Sequence, residues 1–193
     1  MSLSCTVQPT AEPVSLIEVK DWLRVDTDDE NDLLQGLLRA ARLEAEKVLR
    51  RQLMRATWRY TLDAFPCSDA ILLPFPPVAS VTSVYYTDAN GTSTLLSSST
   101  YYTVDTYSEP GRILLNYGQV WPMTRDTPDT VVVTFVAGYA SAALVPESVK
   151  TGIKMCVANW YENREPVVTG GSPSVVPMSV ESLWSQARIM EFV

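Results

Sequence analysis

Few side chains here could do chemistry. The chain has no histidine, so it lacks the usual general base, the commonest metal ligand and any Ser–His or Cys–His nucleophile pair. Its three cysteines, Cys5, Cys67 and Cys156, are widely scattered, and without histidine they cannot complete a structural zinc site. An odd number at such spacings argues for free thiols in a reducing compartment rather than a disulfide framework. No phosphate-cradling G-x-x-x-x-G-K-[ST], dinucleotide-binding G-x-G-x-x-G or nucleophile-elbow G-x-S-x-G is present.

Two charged clusters remain. Asp26, Asp28, Asp29, Glu30 and Asp32 place carboxylates at alternating positions, as a calcium loop would. The sixth position, however, is Asn31 rather than glycine and the twelfth is Leu37 rather than glutamate. An N-cap and acidic first turn complementing a helix dipole account for them better. Lys47, Arg50, Arg51 and Arg55 gather where that helix should end, suiting the negative end of its dipole, with phosphate binding as the lesser alternative. Asp126 and Asp129 sit in a proline-containing stretch and read as solvated turn residues. A hydrolase relying on two carboxylates would need no more than such a pair, but no spacing in the sequence argues for one.

The 193 residues, 46% of them hydrophobic, suffice for one substantial core or a core with an inserted subdomain. The formal charge of −7 argues against an extensive nucleic-acid-binding face, because an acidic surface repels phosphate. Apolar runs fall well short of the ~20 residues that span a bilayer, so no membrane partner is expected. No basic segment followed by an apolar run marks a secretory signal.

Residues 1–13 read as a loosely ordered arm. Ser15 and Glu18 form a capping box that opens a helix over 15–24. A long helix follows over 29–50, with Leu33, Leu34, Leu37, Leu38, Ala41, Ala45, Val48 and Leu49 covering nearly half its circumference. A surface helix needs a stripe of only about 100°, so this one is expected to be buried on two sides. Glu46 and Arg50 read as a supporting i,i+4 pair on the wet face. A third helix runs over 146–164, started by Pro146 and Glu147, with Val149, Ile153, Cys156, Val157 and Trp160 on one stripe. Met155 points off that stripe, and Gly152, Ala158 and Asn159 are small flanking residues that admit another backbone. Leu34, Leu38, Leu49, Gly152, Met155 and Asn159 are therefore the candidates for contact with a neighbouring subunit.

Between these helices, residues 57–140 switch to a period of two. Trp58, Tyr60 and Leu62 alternate with polar residues. Ile71–Leu73 lies among prolines and belongs at a sheet edge. Asn90-Gly91 joins two strands in a hairpin. Pro110-Gly111 suits a type II turn between Tyr101–Thr106 and Arg112–Leu115, and Val131–Ala137 is the last strand. The expected fold is α+β: a small helical bundle, residues 14–56 and 141–166, with an inserted antiparallel β-subdomain, 57–140. Residues 167–193 form a Pro/Gly-rich linker and a short amphipathic end. That end, with Val180, Leu183, Trp184 and Ala187 on one face and Ile189, Met190 and Phe192 after it, either docks on a partner or folds back to complete its own core.

The ordered landmarks resemble a known family. They are the Pro13-to-Asp26 segment with its acidic cap; Trp58 and Thr61-Leu62-Asp63-Ala64-Phe65-Pro66; Pro76-Pro77-Val78; Pro110-Gly111-Arg112-Ile113; Trp121-Pro122; Val133 to Tyr139; and Val145-Pro146-Glu147 leading to Asn159-Trp160-Tyr161-Glu162-Asn163-Arg164. Together they resemble the tailed-phage head–tail connector (adaptor) family, in particular larger gp6-like members with a β-rich insertion. The resemblance implies a non-enzymatic virion protein without cofactor or metal, found at the head–tail joint and, during assembly, in the host cytoplasm. About a dozen copies would close into a ring through heterologous contacts. That ring would join portal to tail-completion proteins around an axial channel, through which DNA passes without specific binding. On this reading Leu183, Trp184, Ile189, Met190 and Phe192 dock on the portal. The alternative from the residues alone is a monomeric carbohydrate- or protein-binding module presenting Tyr85, Tyr86, Tyr101 and Tyr102.

Overall fold

A computed structural model of the chain describes residues 1–163 and 178–189. It contains two compact units, and the chain enters each of them twice. Residues 1–10 and 55–139 make the β unit; residues 11–54 and 140–193 make the helical unit.

The β unit has eight strands among the described residues: β1 (Ser2–Val7), β2 (Ala56–Leu62), β3 (Ala70–Leu72), β4 (Val78–Thr87), β5 (Ser93–Leu95), β6 (Tyr102–Asp105), β7 (Arg112–Leu115) and β8 (Val131–Ala137). They form a five-stranded sheet in the order β1-β2-β8-β4-β5 and a three-stranded sheet in the order β3-β7-β6. All pairings are antiparallel. The last strand in sequence, β8, is the middle one of its sheet. Its strict alternation of buried Val131, Val133, Phe135 and Ala137 with half-buried neighbours is what a central strand with one core face requires. Side chains from both sheets, including Val84, Phe135, Ile71, Ile113 and Tyr102, share one core.

Two expectations are corrected here. The N-terminal arm is strand β1, paired with β2 through Leu3↔Tyr60 and Cys5↔Trp58. Its partner lies some fifty residues downstream, so no local signal announced it. The Pro110-Gly111 turn is not type II, since Gly111 is absent from the residues with positive φ and Glu109–Pro110 is cis. Asp105 organises this connection instead, its carboxylate accepting from the Tyr107 and Ser108 amides, the Ser108 hydroxyl and Arg112 Nε. These donors hold its carboxyl at about 2. Gly111 is required by packing, because a Cβ there would lie 2.7 Å from Val78 Cγ2. The Asn90-Gly91 hairpin is present, with Gly91 at φ 88°.

The helical unit contains α1 (Leu16–Leu23), α2 (Asn31–Leu49), a 3₁₀ turn (Ala142–Leu144), α3 (Glu147–Glu162) and α4 (Met178–Ser185). The capping box forms: the Glu18 amide donates to Ser15 Oγ at 3.2 Å, and the Ser15 amide to Glu18 Oε2 at 2.7 Å. Both α1 and α2 end on arginines in the left-handed region, Arg24 (φ 58°) and Arg50 (φ 55°), where glycine is the usual solution. The acidic segment before α2 caps it only in part. Glu30 occupies the cap without a side-chain cap bond, and Asp28 bonds Lys20 Nζ at 2.7 Å and Asn31 Nδ2 at 3.1 Å.

Each helix buries one face: Val19 from α1; Leu34, Leu38, Ala41, Ala45 and Leu49 from α2; Val149, Ile153, Cys156 and Val157 from α3; Val180 and Trp184 from α4. Burial pushes the Cys156 thiol up to about 12, which makes it a packing residue rather than a nucleophile. Among the described residues no helix is long and apolar enough to cross a membrane.

Candidate functional site

With little apparatus for chemistry, the surfaces that could meet another molecule are the place to look, and α2 supplies the most distinctive one. Its inward stripe holds an ionic cluster as well as apolar groups. Arg42, 5% exposed, donates to Glu12 Oε2 at 2.7 Å and to Glu46 Oε2 at 2.8 Å. Glu46 Oε1 accepts from Gln52 Nε2 at 2.6 Å and from the Leu53 amide at 3.0 Å. Glu46 therefore ties the end of α2 to the chain that leaves it. The expected exposed pair with Arg50 is replaced by a largely buried one with Arg42, because Glu46 lies on the inward side. Burial raises the Glu46 carboxyl more than Arg42 lowers it.

On the far side of the same helix, Leu33 (41% exposed), Gly36, Ala40 and Leu43 (54% exposed) lie in the open. At 100° per residue they fall with Lys47 within about 80° of arc, nearly opposite the buried stripe. A Cβ on Gly36 would meet nothing within 4 Å among the described residues, which give no packing reason for a glycine there. This stripe is acidic before its start and basic beyond its end. Asp26, Asp29 and Asp32 are exposed at the N-terminal end. At the other end Lys47, Val48 and Arg50 of α2 and Glu181, Ser185 and Arg188 line a cavity of about 500 Å³.

The second wall of that cavity exists because α4 and the residues up to Ile189 pack against the end of α2. Trp184 is fully buried, and its Nε1 donates to the Val149 carbonyl at 3.3 Å. It fills the space beside Gly152, where a Cβ would come within 2.9 Å of Trp184 Cε2. Arg51 Nε donates to the Ala187 carbonyl at 2.6 Å, and the Ile189 amide to the Leu49 carbonyl at 3.1 Å, satisfying a helix end that would otherwise need water.

The residues singled out from the sequence separate accordingly. Leu34, Leu38, Leu49 and Gly152 are all buried within the single chain, which corrects their assignment to a subunit contact. The excess apolar width of α2 is real but faces outward through Leu33, Gly36, Ala40 and Leu43. The i, i+3, i+7, i+10 spacing of those four could have shown it. Met155 and Asn159 are half-buried, and Asn159 is engaged by its own chain, accepting from Asn163 Nδ2. Of the docking candidates, Trp184 is corrected to a core residue; Leu183 and Ile189 are half-buried; Met190 and Phe192 lie outside the described residues.

The four tyrosines do not make one platform. Tyr102 is buried, Tyr86 and Tyr101 are half-buried, with the Tyr86 ring 5.9 Å from that of Phe65, and Tyr85 is 42% exposed. Asp129 is tied down as a turn residue, its carboxylate accepting from Thr61 Oγ1 at 2.5 Å. Among the described residues no three His, Cys, Asp or Glu side chains converge as metal ligands would.

Comparison with known proteins adds to this geometry. The family model for the phage gp6-like head–tail connector protein matches residues 13–113. Among solved structures, a chain from the neck of an empty GTA particle, computed with C6 symmetry, superposes with a TM-score of 0.83 at 26% identity, covering 100% of this chain and 98% of that one. A chain from the virion of a native gene transfer agent (GTA) particle gives 0.81 at 24% identity, with the same coverage of both chains. A chain from the neck of a native GTA particle, computed with C12 symmetry, gives 0.79 at 24% identity, again covering 100% and 98%. No curated protein matches the chain in sequence.

Proposed function

The chain belongs to the phage gp6-like head–tail connector family, and on that premise we propose that it is a structural ring component of a virion neck rather than an enzyme. In this reading copies close into a ring between the portal and the tail-completion proteins, at the head–tail joint, after assembling in the host cytoplasm. The observation that carries the reading is the end-to-end likeness to a particle-neck chain whose structure was computed with C6 symmetry. Cyclic symmetry requires each copy to offer two different, mutually fitting patches. The outer stripe of α2, apolar along its length and oppositely charged at its ends, is suited to be one of them.

The remaining roles follow from charge and position. A chain of net charge −7 suits a passage that DNA must traverse without adhering. Portal contact is assigned to the chain end, with Leu183 and Ile189 available in part and Met190 and Phe192 beyond them. Trp184 acts only by holding that end in place.

The experiment is to mix the full-length chain with its portal and measure particle mass and negative-stain images, with the chain alone as control. Closed rings seated on the portal are expected. A chain that never assembles in the presence of portal refutes the reading.

A further inference from the structure

We propose that the basic cavity at the C-terminal end of α2 receives the acidic turn at the start of α2 from a second copy of this chain, joining copies head to tail. The inference rests on the ring reading above and names the contact that would build it. Among the described residues that line the cavity, Lys47 and Arg188 bring cationic groups beside Arg50, and Glu181 is the carboxylate, in a chain whose overall charge is −7. Dipole complementation explains lysine and arginine at the end of α2. It does not explain Arg188, which comes from the segment after α4 and is held there by the Arg51–Ala187 and Ile189–Leu49 hydrogen bonds. Among the described residues Lys47 has a loose partner, Glu44 Oε1 at 3.4 Å, and its side chain is 77% exposed.

The matching negative patch is Asp26, Asp29 and Asp32, all exposed. The helix between the two patches has 19 residues, about 28 Å at 1.5 Å per residue. The opposite charges of one copy therefore cannot neutralise each other, since that separation is several screening lengths. They can do so between copies. Two unlike patches at opposite ends of one rigid rod give a heterologous contact, the kind that propagates and closes into a ring, whereas a self-matching patch stops at a dimer. Duplex DNA is the other polyanion the cavity could take, but it would have to approach a strongly acidic chain.

Charge reversal tests this. One full-length variant carries Lys47→Glu and Arg188→Glu; another carries Asp26→Lys and Asp29→Lys; a third carries all four changes. Each is assayed with portal by particle mass and by circular dichroism. Each two-site variant is expected to keep the wild-type spectrum and to need at least about tenfold more protein for assembly. Mixed in equal amounts, the two should assemble again, because each restores the other's contact in alternation around an even-numbered ring. The four-site variant should assemble with itself. Two-site variants that assemble like wild type, or a mixture that stays as defective as its parts, overturn the proposal. A cavity-reversed variant that assembles normally yet loses binding to a short DNA duplex would assign the cations to DNA and also overturn it. Wild-type protein that never assembles on portal would instead remove the ring reading itself.

Discussion

The two faces of α2 both carry apolar side chains and meet different fates. The inner face, Leu34 to Leu49, is covered by α1, α3 and α4, and it buries an arginine and a glutamate whose polar atoms are taken up by Glu12, Gln52 and the Leu53 amide. The outer face stays open among the described residues, with Leu33 41% and Leu43 54% exposed. Hydrophobicity alone did not decide which was which. The inner face is the one opposite which other segments place complementary groups: Glu12 for Arg42, and Gln52 and the Leu53 amide for Glu46. Changes on the inner face should therefore register in folding, and changes on the outer face in assembly.

The largest folding effect is expected from the piece that closes the helical unit. Trp184→Ala should cost about 3–5 kcal/mol, the range for truncating a buried aromatic, and lower the thermal midpoint measured by circular dichroism. Gly152→Ala should act on the same joint, because its new methyl group needs the place of the indole ring. A Trp184→Ala chain with an unchanged midpoint would mean that α4 does not belong to this core. Next comes Glu46→Ala. It strips Arg42 of one of two carboxylates and leaves the Leu53 amide without its acceptor, so a loss of about 3 kcal/mol in urea unfolding is expected.

The outer face should give the reverse pattern. Leu33→Asp combined with Leu43→Asp is expected to cost only about 1 kcal/mol in unfolding, the sum of two ordinary surface changes, while preventing assembly on portal. Gly36→Ala sharpens this further. A mid-helix glycine costs about 1 kcal/mol relative to alanine, and no described residue would touch the added methyl group. The isolated chain should therefore gain about that much stability. Assembly that weakens despite the gain would show that the glycine serves close approach by a neighbour.

These contrasts also show which features were legible in the sequence. The Ser15–Glu18 capping box, the Asn90-Gly91 hairpin and the alternation of β8 are local patterns whose partners lie within a few residues, and they fold as read. Strand β1 carries no local signal, because its pairing partner is β2, far along the chain. The outer stripe was misassigned because Leu33, Leu34, Leu37 and Leu38 form one broad band in sequence. Only the packing of α1, α3 and α4 decides which edge of that band points inward. Glu46 was given to Arg50 by spacing alone, whereas Arg42, also four residues away, lies on the buried side. The role of Trp184 depended on a space at Gly152 that the sequence marked as small without marking its occupant.

The smallest expected effect concerns pH and separates an exposed carboxylate of the helical unit from the inward one of α2. Glu18, held by the Ser15 amide first and the Ser15 hydroxyl second, titrates below the ordinary glutamate value of 4.5. Its contribution is therefore present above 4.5 and is lost as the pH falls through its lowered folded value. Glu46 titrates above 4.5 because burial outweighs Arg42. The folded state then holds its proton more tightly than the unfolded one, and that contribution is present below 4.5 and fades as the pH rises through its raised value. Thermal midpoints measured between pH 3 and pH 7 should thus move oppositely for two variants. The wild type's advantage over Glu18→Gln should shrink on acidification, and its standing against Glu46→Gln should improve. If both differences moved in the same direction, the Glu46 carboxylate would have to be stabilised by Arg42 more than it is penalised by burial, and the inner face would be electrostatically favourable rather than merely satisfied.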